Sequence, residues 1–159
     1  MSKFSVLLYR MTFKEALLSP YPVRSVIYKL LTIATFYRGY THISVRYETS
    51  DVSLELSKYW RPIHISYVPY GREPDEVWEL PWSIMQVVIT RRFLYAKTHN
   101  YRVPRTSVID TFRARLGLPS HTCVSFVAYV LDVRAYTERQ LWGALNKRYG
   151  KLTVIRPNS

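Results

Sequence analysis

Tyr40-Thr41-His42-Ile43-Ser44-Val45-Arg46-Tyr47-Glu48, followed by Val52-Ser53-Leu54-Glu55-Leu56-Ser57, decides the fold class of this 159-residue chain. Both runs alternate with a period of two, as half-buried strands do. Thr49, Ser50 and Asp51 supply a turn between them. In the first run His42, Ser44, Arg46 and Glu48 share one side. A short hairpin loop would set His42 and Glu55 as cross-strand neighbours on one sheet face. A carboxylate there orients the imidazole and stabilises its cation, so His42 is the expected base and Glu55 its partner. His64, on a third strand-like run at 63–68, is the alternative third group, with an exposed or structural strand histidine as the plainer reading.

Working outward, the complement to this histidine is the only cysteine, Cys123. It lies in Pro119-Ser120-His121-Thr122-Cys123-Val124-Ser125-Phe126-Val127-Ala128-Tyr129-Val130-Leu131. Pro119, Ser120 and Thr122 lead into and cap a short helix. Apolar residues at 124, 127, 128 and 131, with 126 and 130 beside them, give it a wide buried face. A thiol in the first turn feels unpaired N–H groups and the positive end of the helix dipole, both of which favour thiolate. Cys123 is therefore the candidate nucleophile; the alternative is a small core residue. His121 falls in the loop ahead of the helix, and His99, beside Asn100, falls in another loop. Tyr37 and Tyr40, just before the His42 strand, are candidates to line a pocket.

A histidine on a strand, an acidic residue on the next strand and a cysteine opening a later helix is the order of circularly permuted papain-fold, NlpC-type cysteine hydrolases. Thr41-His42-Ile43-Ser44-Val45 resembles that family's histidine strand, with Ser44 as the small residue two places on. Ser53-Leu54-Glu55-Leu56 is similar to its acidic strand, and Thr122-Cys123-Val124-Ser125-Phe126-Val127-Ala128 to its cysteine helix. Tyr136-Thr137-Glu138-Arg139-Gln140-Leu141-Trp142-Gly143-Ala144-Leu145 is similar to the stretch that often follows. The likeness runs from about residue 40 to 155, and 81 residues separate His42 from Cys123. It implies a permuted papain-like α+β fold: a small antiparallel sheet packed against helices, with the cysteine at a helix N-terminus. It also implies a Cys123–His42–Glu55 triad and an acyl-enzyme, acting on an amide, isopeptide or (thio)ester bond. The implied substrates are peptide, peptidoglycan or acyl groups, with no cofactor and no metal.

Composition fits one globular domain spanning 1–159: 48% of residues are hydrophobic and 21% charged. A single cysteine excludes an internal disulfide, and no Cys/His cluster has zinc spacing. Val6-Leu7-Leu8-Tyr9 is too short for a signal peptide and is broken by Arg10, so the expectation is a cytoplasmic protein, or a virion-associated one if phage-encoded. The apolar run 26–36 contains Lys29 and is too short to span a membrane.

The charge is lopsided. Residues 81–159 carry 13 basic and 3 acidic side chains, a net of +10 out of the total of +12. Arg91, Arg92, Lys97, Arg102, Arg105, Arg113 and Arg115 are interleaved with Phe93, Tyr95, Tyr101 and Phe112. Such a pattern suits a nucleic-acid platform or another anionic partner. Its plainer reading is a solvated basic face with the aromatics turned into the core. The alternative function is accordingly a non-catalytic basic binding protein, or a pseudo-enzyme that inhibits a host protein.

The remaining pattern predicts a strand at 3–10 and a helix from 22 to 36. A strand at 76–80 and helices at 81–96 and 105–116 follow, with Gly117 ending the second of these. A last helix at 137–148, a short strand at 151–155 and a frayed tail from 156 complete the chain.

Overall fold

The computed structural model describes residues 3–10, 12–18, 22–34, 42–48, 53–57, 64–66, 73–81, 86–98 and 108–157. Among them the chain runs β1 (Lys3–Tyr9), α1 (Phe13–Leu17), α2 (Pro22–Ala34), β2 (His42–Glu48), β3 (Ser53–Ser57) and β4 (His64–Ser66). It continues through β5 (Glu76–Glu79), α3 (Gln86–Thr98), α4 (Val108–Arg115), α5 (Cys123–Val130), α6 (Glu138–Tyr149) and β6 (Thr153–Ile155). The expected α+β class holds, with one antiparallel sheet in the order β4-β3-β2-β1-β5-β6. Tyr37, Tyr40 and His99 lie outside the described residues.

The central strand β1 explains the layering. Every residue from Phe4 to Tyr9 is buried, so its sequence reads as a nearly continuous apolar run. A strand covered on one face alternates; one covered on both does not need to. Phe4, Val6 and Leu8 join Ile43 and Val45 of β2, Trp78 of β5 and the buried residues of α3, α5 and α6 in one core. Leu7 and Tyr9 point the other way and meet Val77 in a second, small cluster.

Three aromatic contacts stitch the helices to the first face. Phe93 of α3 lies 6.0 Å from the Phe4 ring and 5.7 Å from the Tyr47 ring, and Trp142 of α6 lies 4.9 Å from Trp78. These are the offset and edge-on spacings that aromatic pairs favour. Helix α5 touches β2, α3 and α6 and so sits centrally on this face.

Local chemistry sets the helix limits. Thr12 and Glu15 form a reciprocal capping box at α1: the Thr12 N–H donates to Glu15 Oε2 at 2.7 Å, and the Glu15 N–H to Thr12 Oγ1 at 3.2 Å. Thr137 and Gln140 do the same for α6. Helix α4 ends in a Schellman turn, with Gly117 at φ +72° and the Leu118 N–H on the Arg113 carbonyl. A Cβ at Gly117 would lie 2.9 Å from Gln140 Nε2 as well as in the left-handed region.

Helix α5 ends the same way with a different residue. The Val133 N–H bonds the Ala128 carbonyl, the Asp132 N–H bonds the Tyr129 carbonyl, and Asp132 takes φ 57°. The Asp132 carboxylate accepts from Arg92 of α3 at 2.8 Å and from Arg148 of α6 at 2.5 Å, tying three helices at one corner. Asp132→Asn tolerates the backbone but loses the charge, and is expected to cost about 1 kcal/mol because both arginines are partly solvated. Asp132→Val adds a β-branched side chain at positive φ and should lower the urea midpoint further than Asp132→Asn.

The tail from 156 is not frayed where it begins. Arg156 Nε donates to Glu76 Oε2 at 2.9 Å, and the other oxygen of this buried carboxylate accepts from Trp78 Nε1 at 2.6 Å. Helix α3 is described from Gln86, so the expected helix start at Pro81 is not observed: Pro81 stands outside the helix, and 82–85 lie outside the described residues.

Candidate functional site

Strict strand alternation fixes where His42 lies. The register is regular along β1 and β2: Tyr9 opposes His42, Leu8 opposes Ile43, Leu7 opposes Ser44 and Val6 opposes Val45. His42 therefore shares its face with Tyr9, Leu7 and Ser44, and its ring is 6.0 Å from the Tyr9 ring. Ile43 and Val45 project from the opposite face, into the core that contains Cys123. The sheet stands between the two residues of the expected pair. His42 and Cys123 are not brought together, which corrects the expected dyad.

The environments agree with that placement. His42 is 1% exposed. Burial pushes its imidazole down from the ordinary 6.5 to about 3, because the charged ring would have to leave water. The ring is therefore neutral at physiological pH. Cys123 is 9% exposed, within the core that also holds Phe126, Val127 and Ala128. The position at the head of α5 is as expected; the surroundings are those of a small core residue.

The third group is displaced as well. Glu55 registers against Arg46, not His42. His42 lies four residues further along β2, about 13 Å at the usual strand rise. His64 registers against Ser57 on β3, two strands from β2. Neither takes the expected position beside His42.

What opens at the head of α5 is a different feature. A cleft of about 420 Å³ lies between α4 and α5, lined among others by Arg113, Ser120, His121, Ser125, Tyr129 and Tyr136. Cys123 is not part of its wall. The helix start is built by Ser125, whose hydroxyl accepts the Thr122 N–H at 2.9 Å and donates to the Thr122 carbonyl at 3.0 Å. Thr122 holds the expected N-cap position, but its own Oγ1 is buried with no hydrogen-bond partner among the described residues. Ser120 Oγ is in the same state, and the Ser120 residue is 7% exposed.

Asp110 of α4 also lines this cleft and fastens its wall. Its Oδ1 accepts the His121 N–H at 3.2 Å, pinning the 119–122 loop to α4. Arg113, one turn along α4, is exposed. Tyr136 accepts a hydrogen bond from Arg134 at 2.9 Å, and Arg92 stacks 5.0 Å from the Tyr129 ring. The cleft is thus aromatic and hydroxyl-bearing, with one guanidinium, that of Arg113, and one carboxylate, that of Asp110, on its wall.

The basic half splits between the two readings of its aromatics. Phe93 turns into the core, whereas Tyr95 and Phe112 are exposed, the latter to 55%. Arg91 is exposed and Arg92 is engaged by Asp132 and Tyr129. Arg102, Arg105 and Tyr101 lie outside the described residues. Among the described residues no three His, Cys, Asp or Glu side chains are placed to hold a metal ion, and no helix is long and apolar enough to cross a membrane. No family model, curated protein or solved structure matches this chain.

Sequence reasoning did not single out Ser120, Tyr129 or Tyr136 as site residues. The available signal was the clustering of hydroxyls at 120, 122 and 125 around a helix start, two turns after an arginine-ended helix.

Proposed function

We propose that this protein acts by binding a phosphate-bearing anionic partner through its basic C-terminal half, without covalent catalysis by Cys123. The observation that carries this reading is the placement of His42 and Cys123 on opposite faces of the sheet, each buried in its own layer. With His42 on the other face of the sheet, its imidazole is not placed to take the Cys123 proton in step with attack. The permuted papain-like resemblance then remains a matter of chain order: histidine strand, acidic strand, cysteine helix.

The positive charge supports the binding half of the reading. A net of +10 over residues 81–159 attracts polyanions at long range. Exposed Tyr95 and Phe112 beside arginines offer stacking surfaces that tolerate any base sequence. Fluorescence anisotropy with a labelled single-stranded oligonucleotide, run from about 50 to 200 mM salt, tests it. A surface touching about four phosphates should lose roughly fifty-fold in affinity over that range. Cys123→Ser should bind equally well. Absence of binding at the low-salt end, or binding indifferent to salt, contradicts the reading.

A further inference from the structure

The geometry points to the α4–α5 cleft as a site for a single phosphate group, seated at the head of α5 between Arg113 and Ser120; this rests on the anion-binding reading above and names the group that its anchor point takes. Three independent observations converge there. The first is the helix terminus. Helix α5 spans eight residues, and the Phe126 N–H is the first to reach an intrahelical acceptor, Thr122 O at 3.1 Å. The N–H groups at the helix head before it have no carbonyl within the helix to bond. Ser125, in the first turn, lines the cleft, so the positive end of the α5 dipole lies beside its wall.

The second is Ser120. It lines the cleft, is more than nine-tenths buried, and its hydroxyl has no hydrogen-bond partner among the described residues. A buried hydroxyl left in that state costs free energy that a ligand oxygen would recover. The third is Arg113. Its guanidinium stands at the rim of the same cleft and makes no ion pair or hydrogen bond among the described residues. A planar guanidinium suits two phosphate oxygens at once.

Asp110 sets the character of the site. Its carboxylate holds the 119–122 loop through the His121 N–H and places one negative charge on the same wall. The site should therefore prefer a singly charged phosphate, such as a diester or a protonated monoester, to a dianion. A nucleic-acid backbone and a phospholipid headgroup both carry that group. Exposed Ile109 and Phe112 of α4 flank Arg113, with exposed Leu116 just past the helix end.

Amide shift mapping on the full chain tests this, with dimethyl phosphate and inorganic phosphate as soluble probes. Phosphatidylglycerol vesicles in a phosphatidylcholine background, and the labelled oligonucleotide, form the two source-distinguishing arms. The expected result is saturable movement of the Val124, Ser125 and His121 amides with dimethyl phosphate. Arg113→Gln should weaken that binding about tenfold or more. Ser120→Ala should weaken it about threefold to tenfold. Asp110→Asn, which keeps the oxygen that His121 needs, should tighten binding and reduce the preference for the diester.

Vesicle or oligonucleotide binding that falls in step with Arg113→Gln assigns the phosphate to that source. Movement of amides elsewhere only, or an unchanged affinity in both Arg113→Gln and Ser120→Ala, overturns the site. If the oligonucleotide still binds with a steep salt dependence in that case, the broader function stands and only this anchor is lost. If the oligonucleotide fails to bind as well, the binding reading falls with it.

Discussion

Between about pH 6.5 and pH 5 the protein is expected to lose about 2 kcal/mol of stability, and a His42→Leu variant to lose almost none of it. The folded-state value of His42, about 3, lies below the ordinary 6.5 that the unfolded chain restores. Throughout that interval the unfolded state holds more protons than the folded state. Stability therefore rises with pH across the window, is complete above about 6.5, and is lost as pH falls. Each unit corresponds to about 1.4 kcal/mol. Carboxylates scarcely titrate above pH 5, so the upper part of the window isolates the histidine. Leucine fills similar space beside Tyr9 and Leu7 and cannot titrate. Urea unfolding at half-unit pH steps reads the slope directly. Equal slopes in the two proteins would mean that His42 reaches water or an anionic partner in the folded state.

Phe93→Ala is expected to cost about 3–5 kcal/mol, enough to leave much of a marginally stable chain unfolded. Phe93 is 1% exposed and packs α3 against the sheet, contacting both Phe4 on β1 and Tyr47 on β2. Removing its ring deletes two aromatic pairs and leaves a void between a helix and two strands, neither of which can move independently of its neighbours. Phe93→Leu should recover more than half of the loss, because it restores volume without the ring contacts. Tyr95→Ala, two residues away and half exposed, should shift stability by no more than about 0.5 kcal/mol. A small effect at Phe93 would contradict the packing of α3 on this face. The contrast between Phe93 and Tyr95 also separates the core aromatics of the basic half from those available to a partner.

The strands were legible because alternation and β-branching mark them locally, and β1 betrayed its double burial by failing to alternate. Gly117 was legible as a helix stop because a left-handed residue is what a Schellman turn needs. Helix α1 carried a readable signal, Thr12 with Glu15 three residues on, that the apolar pattern alone did not raise. The triad failed for two physical reasons. Glu48 registers against Ser53, and every earlier pair then follows: Arg46 meets Glu55, leaving His42 four positions further along, as the turn expected from Thr49, Ser50 and Asp51 requires. Placing a turn there already excluded the pair that the motif suggested. The second reason is facial. Helix α5 buries Cys123, Phe126, Val127, Ala128 and Val130, so it belongs on the apolar side of β2 with Ile43 and Val45. His42 and Ser44 are on the other side. The cleft was not legible, since it depends on how the 119–122 loop docks on Asp110, a contact between residues eleven positions apart that no local periodicity encodes.

The separation of His42 from Cys123 is the claim on which the functional reading turns, and alkylation of Cys123 by iodoacetamide across pH measures it. For the native protein the rate should be slow throughout, with no inflection well below the free-thiol value of about 8.5. His42→Leu should leave the profile unchanged under conditions where both proteins are folded, and full reactivity should return only on denaturation. A thiol that reacts rapidly at neutral pH, with an inflection far below 8.5 that moves back up when His42 is replaced, would contradict the account and restore the cysteine–histidine pair.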